Sequence, residues 1–503
     1  MNPIEGLAYG FSVALSPNNI LAVLGGALIG TLIGVLPGIG PVATMALLLP
    51  VTFVMSPTSA VIMLAGIYYG AMYGGSTTSI LIKVPGEAAS IVTAIDGYEL
   101  AKKGRAGAAL AIAATASFVA GTLGVVALML FAPPLATFAL AFGPPEFFGL
   151  ALAGLFALSS ISGRPLWQSL FVLSLGLGLA TIGMDPVSGW LRYTFDSLTL
   201  SQGINLVPVV MGLLGIGEML YVAEQGGGLP QVKGVKLKDM LPSRLEWRRS
   251  WAPMLRGGIL GFFWGLVPGP APVLASFTSY NLERRLSKHP HEFGHGAIEG
   301  VAGPESANNA ASEGALVPVL SLGLPFSAPT AMLLAALMIH GVRPGPLMIS
   351  ERPDIFWGVV ASLYVGNVAL MLMNLPLIGV WVTLLRVPPP VLLATVLLLC
   401  LVGAYSINNS LLDVTVLIIM GAVGYLFKKL KFDPAPIAVA MVLGPVLENA
   451  LRQSLRISGG SPLIFVQRPI SAIFITALIL GAFVPPIWRF VTKWRRRRIR
   501  EHH

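Results

Sequence analysis

GVLPGIGPV, Gly34 to Val42, returns as GLVPGPAPV, Gly265 to Val273, so that Pro37-Gly38 and Pro268-Gly269 stand 231 residues apart. Each Pro-Gly pair lies between two apolar runs. Proline removes a backbone donor and clashes with the preceding turn, and glycine adds the freedom to reverse, so the pair interrupts a helix. In lipid such an interruption survives only where the freed backbone groups are buried in protein or face a wet cavity. Each run is short for a full crossing, which predicts a re-entrant hairpin with its tip inside the membrane. A helix starting just past the tip aims its unpaired N–H groups and positive dipole end into the protein, where an anion binds well. Gly38 and Gly269 are therefore candidate substrate-binding positions. A proline kink within an ordinary transmembrane helix is the alternative.

Two further matches extend the pattern. KVPGEAAS around Pro85 matches GLPFSAPT around Pro325 at a spacing of 240, and the Asp-Pro at Asp185 returns at Asp433 at a spacing of 248. Three matches in one order, with slowly growing spacing, define an internal repeat. The expected organisation is an N-terminal segment (1–19), a first transmembrane repeat (20–224), a cytoplasmic polar linker (225–255) and a second transmembrane repeat (256–457). An extra C-terminal transmembrane helix with a basic cytoplasmic tail (458–503) follows.

Composition agrees. The 503 residues are 55% hydrophobic and 11% charged, with mean hydropathy +0.79, which describes an all-α polytopic chain whose solvent is lipid. Apolar stretches long enough to cross about 30 Å of hydrocarbon include 106–131, 356–385 and 470–488. The opening MNPIEG lacks a basic n-region, so the first span is expected to be retained. The net charge of +10 is spread over short clusters between apolar spans, which reads as topology rather than nucleic-acid binding. A lone cysteine, Cys400, excludes an intramolecular disulfide and a thiolate metal cluster.

Placing the basic linker and the Arg-rich tail on the cytoplasmic side gives each repeat an odd number of crossings. The two repeats are therefore expected to be inverted, with the N-terminus external, as in many secondary transporters. Arg343, Arg352, Arg452, Arg456 and Arg468 then fall outside, against the rule.

A polar segment accompanies each break. Ser76, Thr77, Thr78 and Ser79 precede Lys83 and the Pro85-Gly86 break; Glu305, Ser306, Asn308, Asn309, Ser312 and Glu313 precede Pro325. Polar groups at membrane depth are costly unless paired, which makes them site candidates; gluing helices together is the plainer role. Lys83 neutralises an anionic substrate or pairs with Glu87 one helical turn on. An anionic substrate is expected on Ser76 to Ser79 and on Ser327 to Thr330. Asn308 and Asn309, with nearby carbonyls, suit Na⁺, a hard cation seeking oxygen ligands. His289, His291, His295 and His340 show no zinc-like spacing. The chain has no nucleotide-binding loop, no nucleophile elbow, no voltage-sensor arginine repeat and no selectivity-filter motif. A membrane enzyme or an uncoupled channel is therefore the weaker reading.

These residues resemble the large membrane subunit of the tripartite tricarboxylate transporters. The likeness rests on GVLPGIGPVATMALLLPVTF, YYGAMYGGSTTSILIKVPGEAASIVTAIDGYELAKKGRAGAAL, GPESANNAASEGALVPVLSLGLPFSAP and ALMIHGVRPGP, and covers nearly the whole chain. It implies a Na⁺- or proton-driven uptake system of the bacterial inner membrane without an organic cofactor. It also implies two partners, a small membrane subunit of about four helices and a periplasmic protein delivering a carboxylate such as citrate, and motion as an elevator. The family's polar segments carry over to Ser76 through Ser79, Pro85 and Gly86, and to Glu305 through Asn309 and Pro325. Lys83 departs from the uncharged residue expected there, which points to a different carboxylate, an aromatic one included.

Overall fold

The computed structural model describes residues 2–36, 40–161, 165–185, 187–224, 241–384 and 389–481. The chain is an all-α polytopic membrane protein. Its first half runs α1 (Pro3–Ala14), α2 (Pro17–Val35), α3 (Gly40–Thr52), α4 (Pro57–Ile82), α5 (Ile91–Lys102), α6 (Ala106–Ala139), α7 (Pro144–Ile161) and α8 (Leu166–Ala180). It closes with α9 (Leu206–Val210) and α10 (Gly217–Glu224), joined through a π-helical turn at Met211–Ile216. The second half runs α11 (Arg244–Gly265), α12 (Ala271–Leu286), α13 (Glu299–Gly314), α14 (Leu316–Leu322), α15 (Ala328–Ile339), α16 (Met348–Glu351) and α17 (Pro353–Asn374). It continues through α18 (Ile378–Leu384), α19 (Pro389–Asn408), α20 (Leu411–Lys429) and α21 (Ala435–Ile457). Among the described residues six helices are long and apolar enough to cross a membrane: α2, α6, Leu206–Glu224, α17, α20 and α21.

The apolar run 356–385 is not one span. Its helix stops at Asn374 because Pro376 supplies no donor and the Asn374 side chain turns back onto the Leu370 carbonyl (2.9 Å). The Trp381 indole N–H closes the corner on the Met373 carbonyl (3.0 Å). The expected linker is helical from Arg244, where Ser243 and Glu246 form a capping box. Residues 225–240 and the basic tail lie outside the described residues.

The internal repeat reappears in the packing. Gly26, Gly30 and Gly34 of α2 lie against the carbonyls of Met63, Ile67 and Ala71 in α4. Gly257, Gly261 and Gly265 of α11 lie against those of Gly303, Ala307 and Ala311 in α13. The first ladder maps onto the second at the spacings of the sequence matches, 231 for the glycines and 240 for their partners. Small residues four apart let two helix backbones approach closely, the association device available where lipid removes the hydrophobic drive. Helix ends repeat as well. α4 terminates on Lys83 in the left-handed conformation (φ 59) and α14 on Gly323 (φ 69). Asp185 accepts from the Val187 amide (2.8 Å) and Asp433 from the Ala435 amide (3.0 Å), the same local turn.

Packing also crosses between the halves. α6 lies on α13 and α17 on α4; α8 lies on α21, and α20 on α10 and the π-helical turn.

Candidate functional site

Four helix starts meet at one cavity. They belong to α3, α12, α15 and α21, and each carries proline at its second residue: Pro41, Pro272, Pro329 and Pro436. Proline is tolerated there because the first-turn amide has no carbonyl to reach, and its fixed φ pre-shapes the turn. α3, α5, α12 and α15 contain 13, 12, 16 and 12 residues, so each is about 18–24 Å long, short of the roughly 30 Å hydrocarbon core. α5, α12 and α15 each follow a break rather than a loop; the residues just before α3 lie outside the described residues.

The cavity has a volume of 440 Å³ and is lined from both halves. Gly40 to Ala43, which follow the first Pro-Gly pair, and Gly269, Pro270, Pro272 and Val273 of the second line it, together with Pro85 to Ala88 and Ser327 to Pro329 of the two later breaks. Tyr68, Met72, Leu158 and Leu214 wall it, and Glu218, Lys428 and Asp433 add charge. The breaks are seated on the Pro-Gly elements. The Gly269 amide donates to the Phe326 carbonyl (3.1 Å), and a side chain at Gly86 would run into the Gly34 carbonyl.

Two of the carboxylates are spoken for. Glu87 accepts from the Ala89 amide (2.7 Å) and from the Asn308 side chain (3.1 Å); Asp433 caps the start of α21. Lys428 pairs with Glu218. The starts of α12 and α15 keep their dipole ends toward the cavity without an acidic cap, the latter capped by the neutral Ser327 and Thr330.

The residues singled out by sequence are distributed as follows. Pro85, Gly86, Gly269 and Ser327 line the cavity. Thr330 is buried behind Ser327, 3.0 Å between hydroxyls. Ser76 to Ser79 are buried in the last turns of α4 and do not line the cavity. Ser76 donates to Glu305 (2.5 Å), Thr78 and Ser79 to the Gly75 carbonyl (3.2 and 3.1 Å), and Ser79 also to Ser90 (2.8 Å). Lys83 is exposed, its ammonium 5.7 Å from the Tyr98 ring, rather than paired with Glu87. Asn308 holds Glu87, and Asn309 donates to Ser117 (2.8 Å) and to the Glu305 carbonyl (3.0 Å). Gly38 lies outside the described residues. Among the described residues no group of three or more His, Cys, Asp or Glu side chains is placed to hold a metal.

Glu218, Lys428 and Asp433 escaped sequence reasoning as cavity residues. The first two sit at the ends of apolar spans, where charge reads as topology. The Gly-Pro or Ala-Pro that opens all four helices was the available signal.

The fold defines a multi-pass membrane protein in which two matching sets of helices line one shared cavity. The chain belongs to the family described as Tripartite tricarboxylate transporter TctA family, whose pattern matches residues 20–439. It is 46% identical over 490 residues, 97% of both chains, to a protein of Agrobacterium vitis described as an uncharacterized 52.8 kDa protein in the TAR-I ttuC' 3' region. It is also 47% identical over 212 residues, 42% of this chain and 88% of the relative, to an uncharacterized protein in the TAR-II ttuC' 3' region of the same organism. No solved structure matches.

Proposed function

We propose that this chain is the solute-translocating subunit of a bacterial inner-membrane, binding-protein-dependent importer of a di- or tricarboxylate. A Na⁺ or proton gradient drives it, and the 440 Å³ cavity is the substrate site. The observation that carries this is the convergence on one cavity of helix starts from both halves, of which α12 has no side-chain cap and α15 only the neutral Ser327 and Thr330. Donors and dipoles fixed at helix starts favour negative charge without reorganising, and half-helices aimed at a central site are how transporters hold anions at mid-depth. The size suits a small organic ligand.

In this reading the repeats are inverted across the bilayer, so that exchanging their two conformations alternates access, with an elevator-like displacement of the half-helices. In this reading a small membrane subunit and a periplasmic carboxylate-binding protein complete the system, in keeping with the word tripartite in the family description.

The test is Ser327→Asp in proteoliposomes carrying all three subunits. Aspartate caps a helix as well as serine does, so α15 folds, but the cavity gains a negative charge. Uptake of radiolabelled carboxylates should fall at least ten-fold with Ser327→Asp and stay within two-fold with Ser327→Thr. Unchanged uptake by Ser327→Asp refutes the site.

A further inference from the structure

Sharing no lining residue with the large cavity, a void of 10 Å³ lies among α4, α6, α13 and α17, lined by Tyr73, Ser76, Ser117, Glu305 and Asn374 among others. That is about the space one water-sized sphere occupies. Glu305 is fully buried and held by four neutral donors: Ser76 (2.5 Å) and Thr93 (3.0 Å) on one oxygen, Ser117 (3.0 Å) and Asn309 (3.3 Å) on the other. No ion pair reaches it among the described residues.

The direction of those hydrogen bonds decides what the void accepts. Ser76 and Ser117 spend their hydrogens on Glu305, and Tyr73 spends its own on Asn367. Their lone pairs are what remain for the void. The Oδ1 atom of Asn374, a side chain 6% exposed, has no donor at all. A space presenting acceptor oxygens around one carboxylate has no use for an anion. Buried acceptors without donors cost free energy, and a carboxylate in this interior calls for a compensating positive charge.

We propose that this void is a monovalent cation site, with Glu305, Ser76, Ser117 and Asn374 as ligands, and that the ion is Na⁺. A single carboxylate among neutral oxygens balances one positive charge; divalent ions of this hard class draw on more carboxylates. The site rests on the proposed importer only for its purpose, as the place where the coupling ion enters. Ser76 ties it to the substrate cavity, because the same helix end carries the Pro85-Gly86 break. An ion drawing on Ser76 steadies the last turns of α4 and so the cavity wall.

The experiment is ²²Na⁺ binding to the purified full chain in detergent, without substrate, which separates it from any failure of carboxylate uptake. Wild type should bind ²²Na⁺ saturably, displaced by NaCl and not by choline chloride. Glu305→Gln should weaken binding at least ten-fold. Asn374→Ala and Ser117→Ala should weaken it several-fold and stand in for Glu305→Gln if that variant does not fold. Wild type without ²²Na⁺ binding, or monodisperse Asn374→Ala and Ser117→Ala with wild-type affinity, overturns the proposal; the void then holds water. Carboxylate uptake that persists without ²²Na⁺ binding sinks the cation site and leaves the importer standing.

Discussion

Gly25 and Gly26 are neighbours in α2, yet replacing them with alanine should move stability in opposite directions. A β-carbon on Gly25 meets nothing within 4 Å, whereas one on Gly26 lies 3.1 Å from the Met63 carbonyl carbon and closer still to its oxygen. Helix propensity alone favours alanine at either position by about 1 kcal/mol. At Gly26 the two helices must part by about 1 Å, forfeiting up to half of the ~0.15 kcal/mol of each atom pair, or roughly 3 kcal/mol over about 40 pairs. Net of propensity, Gly26→Ala should destabilise by about 2 kcal/mol, within the usual range for overpacking. Melting of the detergent-solubilised protein, followed by loss of the monodisperse elution peak, gives the readout. Gly25→Ala should melt at or above wild type and Gly26→Ala clearly below it. Should Gly26→Ala prove as stable as Gly25→Ala, close backbone approach is not what joins α2 to α4.

Lys83 stands at φ 59 where the other half has Gly323 at φ 69; Lys83→Gly should therefore stabilise by about 1 kcal/mol and retain uptake, and loss of uptake would return Lys83 to the substrate site. The reverse change, Gly323→Lys, should lower the melting temperature, since a side chain there also meets the Pro344 carbonyl at 2.9 Å. In the loop after α8, the Val187 amide first, then Ser188 and Arg452, holds the Asp185 carboxyl well below the usual carboxylate range. Because that folded pKa is depressed, its stabilisation is complete above the unfolded value of about 3.9 and is lost as pH falls below it. The melting difference between wild type and Asp185→Asn should accordingly be constant from neutral pH down to about pH 5 and shrink below pH 4; a constant difference down to pH 3 contradicts this linkage.

The repeat was legible because its marks are chemical. Pro37-Gly38, Pro85 and Asp185 are residues that only a break or a tight turn needs, and each has its partner in the second half. The glycine ladders were equally open to reading, since Gly26-x3-Gly30-x3-Gly34 is a close-packing pattern, but glycine in an apolar run draws less notice than proline. Ser76 to Ser79 were recognised as special without their target. Hydroxyls on a helix point wherever tertiary packing puts their face, and here that face meets Glu305 and Ser90. Lys428 shows the complementary failure. In sequence it belongs to a basic loop, and only the approach of α20 to α10 sets it against Glu218.

The crossed arrangement of α6 on α13 and α17 on α4 has a consequence for folding. Each half lends the other the surface its own long helices need, much as two subunits exchange arms, so neither half should be an autonomous unit. Severing the chain between Gln225 and Met240 should yield two pieces that are degraded when made singly and persist when made together. An ancestor of half this length would have lived as a pair.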